Sequence, residues 1–245
     1  MGMGRRYGRK KSLSGRAIIL ALALVLVAVG IYALANVFKN NGAGLPVIGK
    51  TSGTVSKDTR TCIVIDAGHG DDDPGTSYGD ILEKDLNLSI AKKVQVLLEA
   101  KNYRVVMTRT NDTLVPLYDR AAIGSREGHI FVSIHQNSME NDSTVNGMET
   151  WYNENTNPLS QHLARSVQQE AVAATGAGSL GLKTNTNFVV IRETKVPSCL
   201  FETGYLSNKK DRENVVTDAY QDKVARGIVK GIERFFEEYG EELKK

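Results

Sequence analysis

The residues best suited to chemistry are histidines placed at the ends of apolar runs. His69, one of four histidines, follows the run CIVID (62–66) in the sequence DAGHG. The glycines on either side of it let the backbone turn tightly and approach a ligand. His135 closes the run IFVSIH and is followed by Gln136, Asn137 and Ser138. Neutral imidazole is a good zinc ligand, and hydrolytic zinc sites hold the ion on three protein ligands with a fourth position open. Glu83 fills the third place: it opens a helical pattern just after the His69 loop, where the helix dipole also favours a carboxylate. A His69/Glu83/His135 set supports metal-assisted hydrolysis. Spacing alone leaves plainer roles open, because a glutamate at a helix start is more often a cap and a histidine after a strand is often a satisfied loop residue.

The other candidates read more simply. His129 is a strand-entry residue and His162 a helix residue near the surface. Asp71, Asp72 and Asp73 lack the ligand register of an EF-hand and read as a solvated loop. Cys62 and Cys199, the two cysteines, precede site-bearing strand ends and read as small buried apolar residues rather than a disulfide or a nucleophile.

The elements that must position these residues alternate along the chain. Strands are expected at 62–66, 103–109, 130–135, 148–153, 188–193 and 199–204. Between them lie a helix opening at Glu83, with Leu86, Ile90, Ala91, Val94, Leu97 and Leu98 at helical spacing, a short one at 117–126, and one near 158–174. An amphipathic helix at 218–240 closes the chain. This alternation predicts an α/β fold, a mostly parallel central sheet flanked by helices on both faces. Ligands of such sheets bind beyond the carboxyl ends of strands, which directs attention to His69, His135 and Glu202.

The 245 residues suffice for one sizeable core, and the cysteine count excludes a disulfide scaffold. The net charge of +3 belongs to the N-terminus: residues 1–38 hold six basic residues and no acid, whereas residues 39–245 hold 25 basic against 28 acidic ones, a net −3. A nucleic-acid binder carries its basic surface on the folded domain, so nucleic acid is disfavoured as a partner. Residues 17–35 run nineteen positions without a charge, and with 36–38 they match the ~20 residues that cross a ~30 Å hydrocarbon core. The basic tail, residues 1–16, predicts a cytoplasmic N-terminus and an exported remainder. An uncleaved membrane anchor at 17–38 is expected, since the run exceeds the ~7–15 apolar residues of a signal peptide. Cleavage after Ala33-Leu34-Ala35 is the alternative, giving a secreted protein. Residues 39–60 read as a linker, and a single domain at 61–245 follows.

The blocks IVIDAGHG, EKDLNLSIA, FVSIHQNS and CLFETGYLSN occur in that order, with VVMTR between the second and third. Over about residues 62–236 they resemble the zinc-dependent N-acetylmuramoyl-L-alanine amidases of bacterial cell walls. The resemblance implies Zn2+ as cofactor with His69, Glu83 and His135 as its ligands, peptidoglycan as partner, and Glu202, which opens the E-x-G-[FY]-[LI]-S-N block, as the catalytic residue. Glu202 would accept a proton from water and return it to the leaving amine. Ala67 stands where the family often has proline and Gln136 where it often has alanine; neither change removes a ligand. Arg192 resembles a family arginine near the cleft, and with Asn137 it is a candidate substrate-binding residue. Asp66 is read either as orienting a ligand histidine or as capping a turn. Only 36 residues separate Trp151 from Phe188, too few for the long insertion whose helix covers the metal in some members, so an open site is expected. A zinc peptidase or carboxypeptidase acting on the stem peptide, and an inactive wall-binding module, are the competing readings. The last would lack one of His69, Glu83, His135 or Glu202, and all four are present.

Overall fold

A computed structural model describes residues 58–244. The expected anchor at 17–38, the basic tail and residues 39–57 of the linker lie outside the described residues. Strand β1 (Cys62–Ala67) leads through a small hairpin, β2 (Ser77–Tyr78) and β3 (Ile81–Leu82), into helix α1 (Glu83–Glu99). Then follow β4 (Arg104–Met107), α2 (Leu117–Glu127), β5 (Ile130–Asn137), β6 (Met148–Tyr152), α3 (Ser160–Thr175), β7 (Ser179–Thr184), the single turn α4 (Val189–Arg192), β8 (Ser198–Tyr205), α5 (Lys209–Val215) and α6 (Asp218–Tyr239). The main sheet has the order β4-β1-β5-β8-β6-β7. Its pairs are parallel except β6 with β8. The mostly parallel α/β architecture is therefore present.

Both faces of the sheet are covered, which explains why its central strands read as continuous apolar runs rather than alternating ones. Ile63, Ile65, Ala67, Ile130, Val132 and Ile134 join one core with α1, α3 and α6. Val64, Phe131 and Leu200 point the other way and pack on Val190 and Ile191 of α4. Helix α1 buries the stripe expected of it, Leu86, Ile90, Ala91, Val94 and Leu98, while Leu97 is half-buried. Asn208 caps α5 by accepting from the amides of Lys210 and Asp211.

Four segments differ from the sequence reading. Within the expected strand 188–193, Val189–Arg192 form helix α4 instead. Asn185 turns the chain ahead of it, its side-chain oxygen accepting from the amides of Asn187 (2.6 Å) and Phe188 (3.2 Å). A short apolar run carries no period that separates helix from strand, and here burial of Val190 and Ile191 beside Leu200 decides the outcome. The edge strand β7 escaped notice because its residues are exposed or half-buried and lack an apolar alternation. Its register on β6 shifts between Met148 and Glu149, and Gly181 adopts φ +77°. The hairpin β2–β3 and helix α5 are too short for a periodic signal.

Helices α3 and α6 pack closely because α6 presents two glycines to α3. A Cβ at Gly227 would lie 2.5 Å from the Ala171 Cα, and one at Gly231 would lie 2.6 Å from the Val167 Cα. Backbone, not a flexible side chain, stands in the way. Alanine at an exposed helix position gains about 1 kcal/mol over glycine, but overpacking costs about 1–3 kcal/mol. Gly231→Ala is therefore expected to lower stability by up to ~2 kcal/mol, read as a lower urea midpoint with unchanged slope. A midpoint at or above the wild-type value would refute the close-packing argument.

Candidate metal centre and active site

His69 leaves β1 in the left-handed region, φ +60°, and Asp71 follows at +52°. Non-glycine residues reach this region only where their surroundings impose it. The buried Arg120 guanidinium provides the restraint: it donates to the carbonyl oxygens of His69 (2.7 Å) and Ala67 (2.6 Å) and pairs with Asp66 at 2.8 Å. Asp66 also accepts from Thr108 Oγ1 and Ser133 Oγ, both at 2.6 Å. Burial opposes its ionisation, yet Arg120 and the two hydroxyls hold the carboxyl below its usual range. Asp66 thus neither orients a ligand histidine nor caps a turn: it anchors Arg120. The histidine is oriented instead by Asp73, whose Oδ2 lies 2.8 Å from His69 Nδ1. A carboxylate only accepts, so Nδ1 carries the proton and Nε2 turns its lone pair into the site.

Glu83 opens α1 with its side chain folded inward, 3% exposed. Its Oε1 lies 3.2 Å from His69 Nε2 and 2.9 Å from His135 Nδ1, and accepts from the Gln136 amide at 3.1 Å and Asn87 Nδ2 at 3.2 Å. Its Oε2 accepts from the Thr76 amide at 2.8 Å. Burial raises the proton affinity of this carboxyl, but the bonds to His135 and His69 outweigh it and hold the group far below the usual range. Two glycines make room. A Cβ on Gly68 would collide with the His135 ring, and one on Gly75, at φ +67°, with the Glu83 carboxylate.

His135, near the end of β5, stands in register with Glu202 on β8, and Glu202 with Glu149 on the antiparallel β6. Directly opposed residues share a sheet face, so the three side chains form one row. The carboxyl of Glu202 is buried, and its Oε2 has no hydrogen-bond partner among the described residues. Burial first, then the nearby Glu83 and Glu149 carboxylates, push its pKa well above the ordinary range. Glu149 is anchored by Asn137 Nδ2 (2.8 Å) and Trp151 Nε1 (2.9 Å).

His69, Glu83, His135 and Glu202 line one cavity of about 510 Å³, and Leu114, Leu117, Phe188 and Val190 contribute to its walls. Of the residues between Trp151 and Phe188, only Asn187 lines it. Arg192 lies outside: it pairs with Glu193 at 2.8 Å and lines a separate polar groove with Asn153, Thr186 and Lys195. Asn137 is likewise absent from the lining, its amide spent on Glu149 and Tyr205. His129 Nδ1 accepts from the Cys62 amide, His162 packs on Tyr239, and both cysteines are buried free thiols. Sequence reasoning missed Asp73 and Glu149. Asp73 sits four residues after His69 across a turn, and Glu149 becomes visible only through strand register.

One ligand atom each from His69, Glu83 and His135 lies within 4.8 Å of the others. Two imidazole nitrogens and one carboxylate oxygen converging from a partly exposed wall fit a three-ligand hydrolytic metal site. Asp73→Asn removes the carboxylate that fixes the His69 tautomer and is expected to weaken metal affinity by ~10–100-fold in a chelator competition. Unchanged affinity would mean that Asp73 does not orient this ligand.

Residues 63–234 match the family described as N-acetylmuramoyl-L-alanine amidase. The N-acetylmuramoyl-L-alanine amidase LytC of Bacillus subtilis (strain 168) is 36% identical over 205 residues, covering 83% of this chain and 38% of that protein. The probable cell wall amidase LytH of Staphylococcus aureus is 36% identical over 178 residues, covering 71% and 58%. The chain therefore spans less than two thirds of the length of these curated relatives. The crystal structure of N-acetylmuramoyl-L-alanine amidase from Clostridium difficile 630 is similar with a TM-score of 0.69 at 37% identity, covering 73% of this chain and 97% of that one. With the blocks, the fold and the ligand cluster in agreement, the chain belongs to the N-acetylmuramoyl-L-alanine amidase family.

Proposed function

We propose that this protein hydrolyses the amide between N-acetylmuramic acid and L-alanine in bacterial peptidoglycan, with zinc as its metal. The observation that carries the reading is Glu202, a buried carboxyl with a free oxygen, in register beside one of three convergent metal ligands. The family membership and the names of the relatives support the substrate. Zinc held by His69, Glu83 and His135 would supply Lewis acidity, polarising the amide carbonyl and making water a better nucleophile. Glu202 accepts the proton of the attacking water and delivers it to the departing alanine nitrogen. Burial and the two neighbouring carboxylates raise its proton affinity, which suits a group that takes up the water's proton before returning it. Arg120 and Asp73 hold His69 in place.

The same proposal places the domain outside the cytoplasm, tethered by residues 17–38, on the strength of the uncharged run and the six basic residues before it. The full-length chain is then expected in the membrane fraction, with its domain accessible from outside. A mature N-terminus at Asn36 would replace the anchor with a cleaved signal.

Ligand and base separate under mutation. Glu202→Gln leaves the three ligands untouched, so zinc content stays stoichiometric while sacculus hydrolysis falls by ~10²–10⁴-fold. His69→Ala is expected to lose metal and activity together, because two ligands hold zinc poorly. Mass spectrometry of the released ends identifies the bond. Free L-alanine amino termini support the proposal, whereas new ends within the stem peptide point to a peptidase. Loss of zinc from Glu202→Gln, or full activity, would remove Glu202 from the role of base.

A further inference from the structure

One flank of the catalytic cavity is apolar far into solvent. Leu114, Val115, Pro116 and Leu117 line the cavity, and Tyr118 follows them in the chain. Leu114, Leu117 and Tyr118 are 52%, 53% and 62% exposed. The other large exposed hydrophobics among the described residues, Tyr78, Val96, Met139, Leu180 and Val216, fall singly along the chain. Scattered apolar residues need no explanation, but a contiguous strip opening into a site marks a binding surface. This strip is also held in place. Arg120 Nε donates to the Val115 carbonyl at 2.7 Å, and Arg192 Nη2 donates to the Tyr118 hydroxyl at 3.4 Å. Phe188 adds to the wall and is itself steadied edge-on against Trp151, with ring centroids 5.4 Å apart.

Under the amidase reading, on which this inference rests, the scissile bond joins two chemically unlike halves. The amino-sugar half is uncharged, with apolar C–H ring faces and with methyl groups on its acetyl and lactyl substituents. The stem-peptide half carries carboxylates. A carboxylate pressed on residues 114–117 would lose water and meet no donor, a costly exchange. Arg120, which lines this cavity, has its donors committed to Asp66 and three carbonyls, and Arg192, which reaches Tyr118, is paired with Glu193; other cations line separate grooves, Lys195 with Arg192 in one and Lys209, Lys210 and Arg212 in another. We propose that the wall formed by Leu114, Val115, Pro116, Leu117 and Phe188 is the glycan subsite, seating the amino-sugar side of the substrate. The peptide then leaves the cavity on the side away from this strip, and the direction of substrate in the cleft is set by polarity.

The test uses the full-length protein in detergent, in a Glu202→Gln background that prevents turnover, and two probes: glycan strands of alternating N-acetylglucosamine and N-acetylmuramic acid whose lactyl carboxyls are capped as uncharged methylamides, and free stem peptide. Leu114 and Leu117 are more than half exposed, so Leu114→Ser and Leu117→Ser are expected to leave folding intact. Calorimetric titration is expected to show saturable glycan binding that weakens roughly tenfold in either variant, the scale of losing a few apolar contacts in a specificity pocket. Affinity for the stem peptide is expected to stay unchanged. The subsite assignment falls if glycan strands do not bind, if they bind both variants as tightly as the parent, or if stem-peptide affinity drops in parallel. Binding is read without turnover, so this failure is distinct from failure of the amidase reading, which the identity of the released ends decides.

Discussion

The buried ion pair between Asp66 and Arg120 is the constraint on which the site is built. Neither charge reaches water, so each must find all its partners within the protein. Besides Arg120, Asp66 accepts from Thr108, just past the end of β4, and from Ser133 on β5, and Arg120 spends its remaining donors on the carbonyls of Ala67, His69 and Val115. One guanidinium therefore fixes the end of the central strand, the left-handed histidine after it and the apolar strip at the rim. Removing either partner would leave a buried charge uncompensated, at a cost of about 3–5 kcal/mol. That cost would fall on the geometry of the ligands before it reached the distant helices.

Around this anchor the site sorts its carboxylates by environment. Glu83 accepts from two backbone amides and Asn87, lies against the His135 and His69 imidazoles, and is held as an anion. Glu202, in the same cavity, keeps an oxygen without a donor and is driven toward its neutral form. Two glutamates within one small volume thus have opposite proton affinities, and their different tasks, ligand and proton carrier, follow from hydrogen-bond supply rather than residue type. Glu149 contributes from the antiparallel strand without entering the cavity lining, as a fixed negative charge steadied by Trp151 and Asn137.

Much of this was legible in the sequence, and the rest was hidden for identifiable reasons. The doubly buried strands announced themselves as apolar runs, and α1 as a stripe ending against the sheet, because burial imposes pattern. His69, Glu83 and His135 could be nominated from types and positions, but only the resemblance to a family selected them over caps and loop residues. Asp73 reads in the sequence as a solvated loop residue because a contact across a four-residue turn leaves no periodic trace. Arg192 was placed near the substrate, yet it lies in the neighbouring groove, because the run FVVIRE coils into a helical turn that directs Val190 and Arg192 to different cavities. No local pattern distinguishes that turn from a strand, since it is settled by Asn185 before it and by the core beneath it.

The sheet's far edge carries a consequence of a different kind. Among the described residues, strand β7 ends the sheet without a neighbour beyond it, an edge that offers unpaired amides and carbonyls to a passing chain. Its irregular join to β6, the left-handed Gly181 and the exposed Lys183 spoil that edge as a template, because a flat, uncharged strand is what recruits another. Molecules crowded side by side at high local density are thereby kept from stitching their sheets into a continuous ribbon, and each retains an independent, separately accessible cleft.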